Sequence, residues 1–481
     1  MPHPPLTGAD LRPPPAGSEG GGGRARVPSA ASEISSTVPL RARVPGTVRS
    51  GVRELDGRTV VVAQSISGHH RGALTGADGA TIAGAARMAL DLRLPLVVVM
   101  SSSGSDVNDG IAALHGWGAA AAAIVACSGQ VPVLAAATGP AVSGPALLLG
   151  LADLSVMTLD AFAFLSGPDA VEGFTGIRVS LHELGGSAVH ATASGLCALI
   201  APDDSDVLDL VGALLAYLPD HTDSEPPRLE SDDPPQRSVP ELREMIPASS
   251  TASYDVRAVV GAIADDGAIL EVRPMWAPQL VTALTSVGGM PVGVVANQPR
   301  SLAGTLDITA SQKGARFVRF CDAFNLPVVT LVDTPGFLPG KDLEWRGMIR
   351  HGAELAFAYA EATVPRVCLV LRKAYGGAYI VMDSKGIGND VCLAWPSAQI
   401  AVMGERGAVQ ILHRGAGPDE LRHLEASYAE EFLTPWVAAE RGFVDEVIDP
   451  ADTRAGVHRA LSMLATRAEH LPGRKHDGGP L

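Results

Sequence analysis

The sequence repeats itself once over most of its length, and this duplication constrains the fold more than any other feature. A valine-rich segment with a Leu-Pro start occurs at 94–104 (LPLVVVMSSSG) and again at 326–336 (LPVVTLVDTPG). A second pair with a Val-Pro start follows at nearly the same offset, at 131–146 (VPVLAAATGPAVSGPA) and 364–379 (VPRVCLVLRKAYGGAY). A third pair, FLSGPDAV and VMGERGAV, comes next in both copies. The sequence therefore predicts two related halves rather than an array of short repeats.

Within each half, short runs rich in Val, Ile and Leu alternate with Ala-rich helical stretches. Examples are VVVM before GIAALHGWGAAAAAIV, and VVTLV before RGMIRHGAELAFAYAEA. Alternating strands and helices favour a parallel sheet covered by helices, so the predicted fold class is α/β. Polar or glycine-rich turns follow the strand ends, where α/β proteins place their ligands.

Two polar, proline-rich stretches divide the chain. Residues 1–46 include GSEGGGGRAR and lack apolar periodicity, so we expect a disordered tail. Residues 221–253 are predicted to be a linker. The folded domains are then expected at 47–220 and 254–481.

Composition excludes several kinds of partner and site. The formal net charge is -15 and no basic run occurs, which argues against nucleic acid or an acidic membrane surface. The five cysteines form no CxxC pair, so reduced thiols are preferred over disulfides or a zinc site, and no metal is expected. No secretory signal or membrane-spanning run is found, and we expect a cytoplasmic protein.

A glycine pair, Gly376-Gly377, follows the strand-like run RVCLVLRK. One interpretation is a tight strand-to-helix turn required only by packing. The other is a set of backbone N–H groups directed at a developing negative charge. The duplicated segment places Ser143-Gly144 at the equivalent point of the first half.

The second half resembles the β subunits of biotin-dependent acyl-CoA carboxylases, such as acetyl- and propionyl-CoA carboxylases. The motifs that carry the resemblance are LVDTPGFLPG, RHGAELAFAYAEATVP, RKAYGGAYIVM and LAWPSAQIAVMGERGAVQIL. The first half resembles the family less closely, because Ser143 replaces a glycine of the family pattern. Its loop 101–110 departs most: Ser101 replaces an acidic residue there, and Asp106 replaces an arginine.

The resemblance implies two tandem crotonase-like carboxyltransferase domains, the first on the acyl-CoA side and the second on the biotin side. It implies transfer of CO2 from N1'-carboxybiotin to the α-carbon of a short acyl thioester, such as an acetyl or propionyl group. Biotin would be carried by a partner α subunit with biotin carboxylase and carrier domains, and the CoA thioester would be the substrate. The assembly would be a hexamer or a mixed β oligomer.

The same resemblance assigns roles to individual residues. Gly376, Gly377 and Ala378 would form one donor turn, and Ser143 with Gly144 the other. Ile380 would select acyl size, with a core isoleucine as the alternative, and Tyr379 would also contact substrate. Apart from the resemblance, Lys313 and Arg316 in the segment SQKGARF are expected either to reach CoA or biotin-side groups or to lie on a solvated helix face.

Two other functions stay open at this point. The altered loop 101–110 favours a non-catalytic structural subunit of a carboxylase complex, whereas the intact second half argues against it. A biotin-linked acyl-CoA decarboxylase would run the same chemistry backward. The sequence leaves open the acyl chain length and whether the thioester is carried on CoA or on a carrier protein.

Overall fold

The structure is a computed structural model, and it describes residues 38–39, 46–66, 70–247, 249–467, 469, 471–473, 475–476 and 478–480. Most of the predicted disordered tail, 1–46, lies outside these residues. Val38–Pro39 are described, however, and pair antiparallel with Val52 and Gly51. The ordered chain therefore includes residues that the predicted boundary at 47 left out.

Each half builds one mainly parallel sheet. The strands of the first half are β1 (Val38–Pro39), β2 (Val48–Leu55), β3 (Arg58–Ser65), β4 (Leu96–Ser102), β5 (Val133–Val142), β6 (Leu154–Thr158), β7 (Phe162–Phe164) and β8 (Leu199–Ala201). The strands of the second half are β9 (Leu270–Glu271), β10 (Leu280–Val287), β11 (Met290–Asn297), β12 (Val328–Thr334), β13 (Arg366–Tyr375), β14 (Val391–Ala394), β15 (Gln399–Ala401) and β16 (Glu446–Val447).

Helices connect these strands. Those of the first half are α1 (Gly76–Leu92), α2 (Ile111–Cys127), α3 (Gly144–Gly150), α4 (Pro168–Thr175), α5 (Leu181–Gly185), α6 (Ser187–Val189) and α7 (Asp204–Leu215). Those of the second half are α8 (Leu242–Met245), α9 (Val256–Ile263), α10 (Ile308–Ala323), α11 (Lys341–Trp345), α12 (Met348–Glu361), α13 (Gly376–Val381), α14 (Glu405–Leu412), α15 (Pro418–Tyr428), α16 (Pro435–Glu440) and α17 (Thr453–Leu464).

The two sheets have matching topology and register. Their orders are β1-β2-β3-β4-β5-β6-β8 and β9-β10-β11-β12-β13-β14-β16, with β7 added to β5 and β15 added to β13. Ser102 pairs with Ala141 after a register shift in the first sheet, and Thr334 pairs with Ala374 after the same shift in the second. The predicted duplication and the α/β class with mainly parallel strands are confirmed.

The halves share a hydrophobic core. Buried Leu214 and Leu215 of α7 belong to one cluster with Leu280 of β10 and Phe317 of α10. The α10 helix begins at a side-chain cap, where the Asp307 carboxylate accepts a hydrogen bond from the Ala310 N–H. Because this cluster spans both halves, the two sheets are fixed relative to one another.

The predicted linker, 221–253, packs along the second half. The Leu229 N–H donates to Gly289 O at 3.0 Å, and the Val239 N–H donates to Ala451 O at 2.8 Å. Val239 and Leu242 are buried. Apart from Ala248, which lies outside the described residues, this segment is an ordered strap and not a free spacer.

Candidate active site

The turn after β13 presents backbone N–H groups at the carboxyl end of the sheet. Gly376 has φ +60°, and a Cβ there would lie 3.1 Å from Val402 O, so glycine fits where another residue would be strained. Gly377 and Ala378 belong to the first turn of α13, whose N–H groups have no acceptor within the helix. Gly377 is exposed, and Ala378 is buried. The sequence left two alternatives for this glycine pair, a turn required by packing and a turn that presents N–H donors. The structure is compatible with both at once, because Gly376 meets the packing requirement and the N–H groups that follow it have no acceptor within the helix.

A buried carboxylate braces this turn. Asp333, at the end of β12, accepts from Arg372 Nε at 3.0 Å and from the Tyr254 hydroxyl at 2.9 Å. Its other oxygen accepts from the Lys373 N–H at 3.1 Å. Burial raises the pKa of Asp333 above its ordinary value, and the Arg372 guanidinium offsets part of that rise. These charge-assisted bonds fix the end of β12 against the end of β13, four residues before Gly376.

A second buried network holds the other end of α13. Arg366 Nη1 donates to Asp383 Oδ1 at 2.7 Å, and the two side chains are 2% and 0% exposed. Asn389 Nδ2 donates to Asp383 Oδ2 at 3.0 Å. Burial raises the pKa of Asp383 to about 6, although the Arg366 charge and the hydrogen bonds from Asn389 and Arg366 act to lower that pKa. Since Arg366 lies at the start of β13, the helix is anchored to its own strand.

Apolar side chains flank the exposed glycine. A Cβ on Gly377 would lie 3.6 Å from the Phe337 ring, an ordinary van der Waals distance. Ile380 is 45% exposed, so it is not the core isoleucine of the alternative interpretation. Tyr379 is 7% exposed within the core, with its hydroxyl beside the Cys392 thiol. The structure thus leaves Ile380 accessible to a ligand and buries Tyr379 away from it.

The first half repeats the turn with different chemistry. Ser143 occupies the position of Gly376, between β5 and α3, with φ 61°. Its N–H donates to Phe164 O at 2.9 Å. The donor predicted at Ser143 is therefore already used within the chain, and this correction follows from the pairing of β7 against β5.

The shared register places Gly144 and Pro145 at the positions of Gly377 and Ala378. Proline has no backbone N–H, so this turn carries one donor fewer than its counterpart. Gly144 is buried, and a Cβ on it would lie 2.8 Å from the indole ring of Trp117. Glycine is required here because an aromatic ring packs directly on its Cα.

The divergent loop 101–110 is ordered by its own acidic residue. Asp106 is 7% exposed, and its carboxylate accepts from the Asn108 N–H at 2.8 Å. Next to it, Val107 is 91% exposed, and Ile111 is also exposed. Asp106 therefore shapes the loop, and the loop exposes one large apolar side chain, Val107, beside the polar residues Asn108 and Asp109.

Lys313 and Arg316 lie on α10 but in different surroundings. Lys313 is 2% exposed, and its Nζ donates to Arg273 O at 2.9 Å and Trp276 O at 2.8 Å. Burial lowers the pKa of Lys313 to about 7. It is therefore neither on a solvated face nor available to a ligand. Arg316 is exposed, and its Nη2 donates to Ala152 O at 3.0 Å across the junction between the halves.

A cavity of about 410 Å³ lies at this junction beside α3. Leu147 and Phe164 contribute apolar wall, and Arg273 and Arg316 contribute cationic groups. Burial lowers the pKa of Arg273 to about 10, and the charge of Arg316 adds to this effect. Arg316 thus stays a candidate for binding an anionic part of a substrate.

Sequence reasoning missed the Asp333–Arg372 brace, the Phe337 wall and the loss of a donor at Pro145. The first two lie within motifs that were recognised as family patterns, but their contacts join segments far apart in the chain. Pro145 was visible in the sequence, because the repeated segments align it with Ala378.

Other kinds of site find no support in the described part of the chain. No three His, Cys, Asp or Glu side chains there are grouped as metal ligands would be. No helix within those residues has the length and apolarity needed to cross a bilayer. The five cysteines are buried free thiols, as predicted.

Comparisons with known proteins agree with this geometry. Residues 35–478 match the carboxyl transferase domain family. A propionyl-CoA carboxylase carboxyltransferase subunit from Haloferax mediterranei is 42% identical over 447 residues, which are 91% of this chain and 87% of that protein. A propionyl-CoA carboxylase beta chain from Saccharopolyspora erythraea is 43% identical over 453 residues, 90% of this chain and 83% of that one.

A solved structure has the same fold. The crystal structure of transcarboxylase 12S, described as a hexamer assembly with methylmalonyl-coenzyme A and methylmalonic acid bound, aligns with a TM-score of 0.89 at 40% identity. The alignment covers 90% of this chain and 85% of that one. The predicted arrangement of two tandem carboxyltransferase domains is confirmed.

Proposed function

This chain belongs to the carboxyl transferase family, and from that premise we propose that it is the carboxyltransferase subunit of a biotin-dependent acyl-CoA carboxylase. It would move a carboxyl group from N1'-carboxybiotin, held on a partner subunit, to the α-carbon of a short acyl-CoA. The product would be a malonyl- or methylmalonyl-type thioester.

The observation that carries the proposal is the braced donor turn of the second half. Carboxyl transfer develops negative charge twice, on the thioester oxygen when the α-proton leaves and on the ureido oxygen when the carboxyl group leaves. Preorganised N–H groups stabilise such charge without reorganising. Gly377 and Ala378 supply a pair of them, and the Asp333 brace and the Asp383 network support both ends of α13.

The residues around Gly377 suit a neutral ureido ring as the donor group. Gly377 is exposed, and the Phe337 ring lies 3.6 Å from the place that a Cβ on Gly377 would take. Bound carboxybiotin supplies an activated carboxyl group. The role of this chain is to orient it, exclude water with apolar side chains, and hold N–H donors toward the oxygen that becomes charged.

Substrate selection is proposed at two places. Ile380 offers an uncharged surface near the donor turn, which fits acetyl, propionyl or butyryl groups. Arg316 and Arg273, at the cavity between the halves, suit the negatively charged part of a CoA thioester. The thioester would lie on the first-half side and biotin on the second-half side.

We further propose that the chain works in a hexamer or a mixed β oligomer with a biotinylated α subunit. The assembly described for transcarboxylase 12S supports the hexamer. The alternative of a structural subunit is not favoured, because the second-half turn is intact. Carboxylase and carboxyltransferase subunits predominate among the relatives, so the decarboxylase is the less favoured enzyme, although a methylmalonyl-CoA decarboxylase subunit alpha from Veillonella parvula is 39% identical over 91% of this chain.

Reconstitution tests the proposal. The full chain is combined with a biotinylated α subunit, ATP, labelled bicarbonate and a panel of acetyl-, propionyl- and butyryl-CoA. Label should enter the acyl-CoA only when both subunits are present. Absence of labelled product with every thioester, from a well-folded oligomer, would contradict the proposed function.

A further inference from the structure

We propose that Pro145 limits the rate of carboxyl transfer on the thioester side of the site. The inference deepens the proposed function and rests on it. Pro145 stands in the first-half turn where Ala378 stands in the second. The strand pairings that lead into the two turns are the same, so the equivalence is one of backbone position and not only of sequence.

The N–H groups on either side do not replace the missing donor, because the Ala146 N–H donates to Ser143 O at 3.0 Å. The Ser143 N–H, one residue before Gly144, is committed to Phe164 O at 2.9 Å. Gly144 alone keeps an N–H in the matched pair. It is buried beneath Trp117, whereas its counterpart Gly377 is exposed. The first-half turn therefore has one donor, on a buried glycine, and the second-half turn has two, one of them on an exposed glycine.

The consequence concerns the rate rather than the fold. Removing one donor from an oxyanion site typically lowers kcat by about 10²–10³. Restoring the N–H should act in the opposite direction, so we expect Pro145→Ala to raise kcat at least tenfold. Pro145 lies in the first helical turn, where its ring breaks no intrahelical hydrogen bond, and alanine accepts the same backbone conformation.

The experiment uses the full chain with malonyl-CoA and free biotin. In this reaction the bond between the α-carbon and the carboxyl carbon breaks, the carboxyl group moves to biotin N1', and the N1' proton goes to the α-carbon. Acetyl-CoA formation then reports turnover. Pro418→Ala is the matched control, because Pro418 begins the exposed helix α15. Ala378→Pro makes the reciprocal change in the second half.

The expected result is a higher kcat for Pro145→Ala with a nearly unchanged KM for malonyl-CoA, no change for Pro418→Ala, and a loss for Ala378→Pro. Melting temperatures show whether each variant is folded. If Pro145→Ala unfolds the chain, Pro145→Ser replaces it, and if Ala378→Pro unfolds the chain, Gly377→Val replaces it. An unchanged kcat in folded Pro145→Ala, or an effect on KM alone, overturns the inference. If Gly377→Val then still loses activity, the proposed function stands; if parent and variants are all inert, the proposed function falls as well.

Discussion

Gly377→Val should separate the chemistry of the donor turn from its folding. The new Cβ would meet only the Phe337 ring, at 3.6 Å, and Gly377 does not have a positive φ. In a helix, glycine is about 1 kcal/mol and valine at most about 0.7 kcal/mol less favourable than alanine. We therefore expect the free energy of unfolding to change by less than about 0.5 kcal/mol.

The effect on catalysis should be much larger. The valine side chain would project from the exposed turn that carries the N–H groups of Gly377 and Ala378, and we expect it to keep a ligand oxygen away from them. Loss of one such donor typically costs about 2.7–4 kcal/mol of barrier, which is about 10²–10³ in kcat. In the reconstituted complex with labelled bicarbonate, kcat should fall at least about 100-fold, with a smaller change in KM for the acyl-CoA.

A matched control removes the general effect of a glycine-to-valine change. Gly84 lies within α1, and a Cβ there would meet nothing within 4 Å. Gly84→Val should keep the activity of the parent. If Gly377→Val kept it too, while both variants melted like the parent, the turn after β13 would not supply the oxyanion donors.

Three further predictions follow from the structure. Ile380→Asp should lower kcat/KM for butyryl-CoA relative to acetyl-CoA about tenfold, or about 1.4 kcal/mol of barrier, and an unchanged ranking across the panel would show that Ile380 does not contact the acyl group. Deleting residues 1–34, which precede the family match, should leave transfer and oligomer size unchanged, and lost transfer in an unchanged oligomer would refute this. The pKa of Lys313 is about 7 in the folded chain and about 10.4 in the unfolded chain. Between about pH 7 and pH 10, the unfolded chain therefore binds a proton on Lys313 that the folded chain has lost. The unfolding free energy of the parent, minus that of Lys313→Met, should therefore rise with pH from 7 to 9 by up to about 1.4 kcal/mol per unit in urea titrations, and a constant or falling difference would contradict the assignment.

The features that sequence reasoning predicted well are those written in local patterns. Valine-rich runs after Leu-Pro and Val-Pro become β4, β12, β5 and β13 because each is long enough for a buried strand and is bounded by turn residues. The Gly376 turn was predicted because a glycine pair directly after such a run leaves few other conformations. Because both signals occur twice, they predict a duplicated α/β fold.

The misplaced residues depend on contacts between distant segments. Lys313 lies on a helix that the sequence indicates, but its burial is decided by the carbonyl groups of Arg273 and Trp276. Tyr379 follows the donor turn directly, yet the helical rotation directs its ring into the core. The Ser143 donor was misjudged because the pairing partner of its N–H, Phe164, comes from an added strand with no strong sequence signal.

The two halves share a backbone register but not the bonds that hold the turns in place. Asp333 and Arg372 form a buried ion pair beside the second turn, with exposed fractions of 2% and 7% for their side chains. The aligned segments put Ser101 and Gly139 at these positions, where a Cβ on Gly139 would lie 2.6 Å from Ser101 Oγ. Close packing therefore takes the place of the carboxylate–guanidinium pair in the first half.

This difference bears on which half stabilises charge. An N–H donor lowers the barrier only if it already points at the oxygen on which charge develops. Charge-assisted hydrogen bonds between the flanking strands hold the donor in that orientation. The second turn has that support at both ends of α13, through Asp333 and Asp383. In the first turn, the Trp117 ring packs on Gly144, and Pro145 has no backbone N–H to donate. Preorganisation in this chain is thus concentrated in the second half, while the first half keeps one N–H of the matched pair, on Gly144, and borders the cationic cavity beside α3.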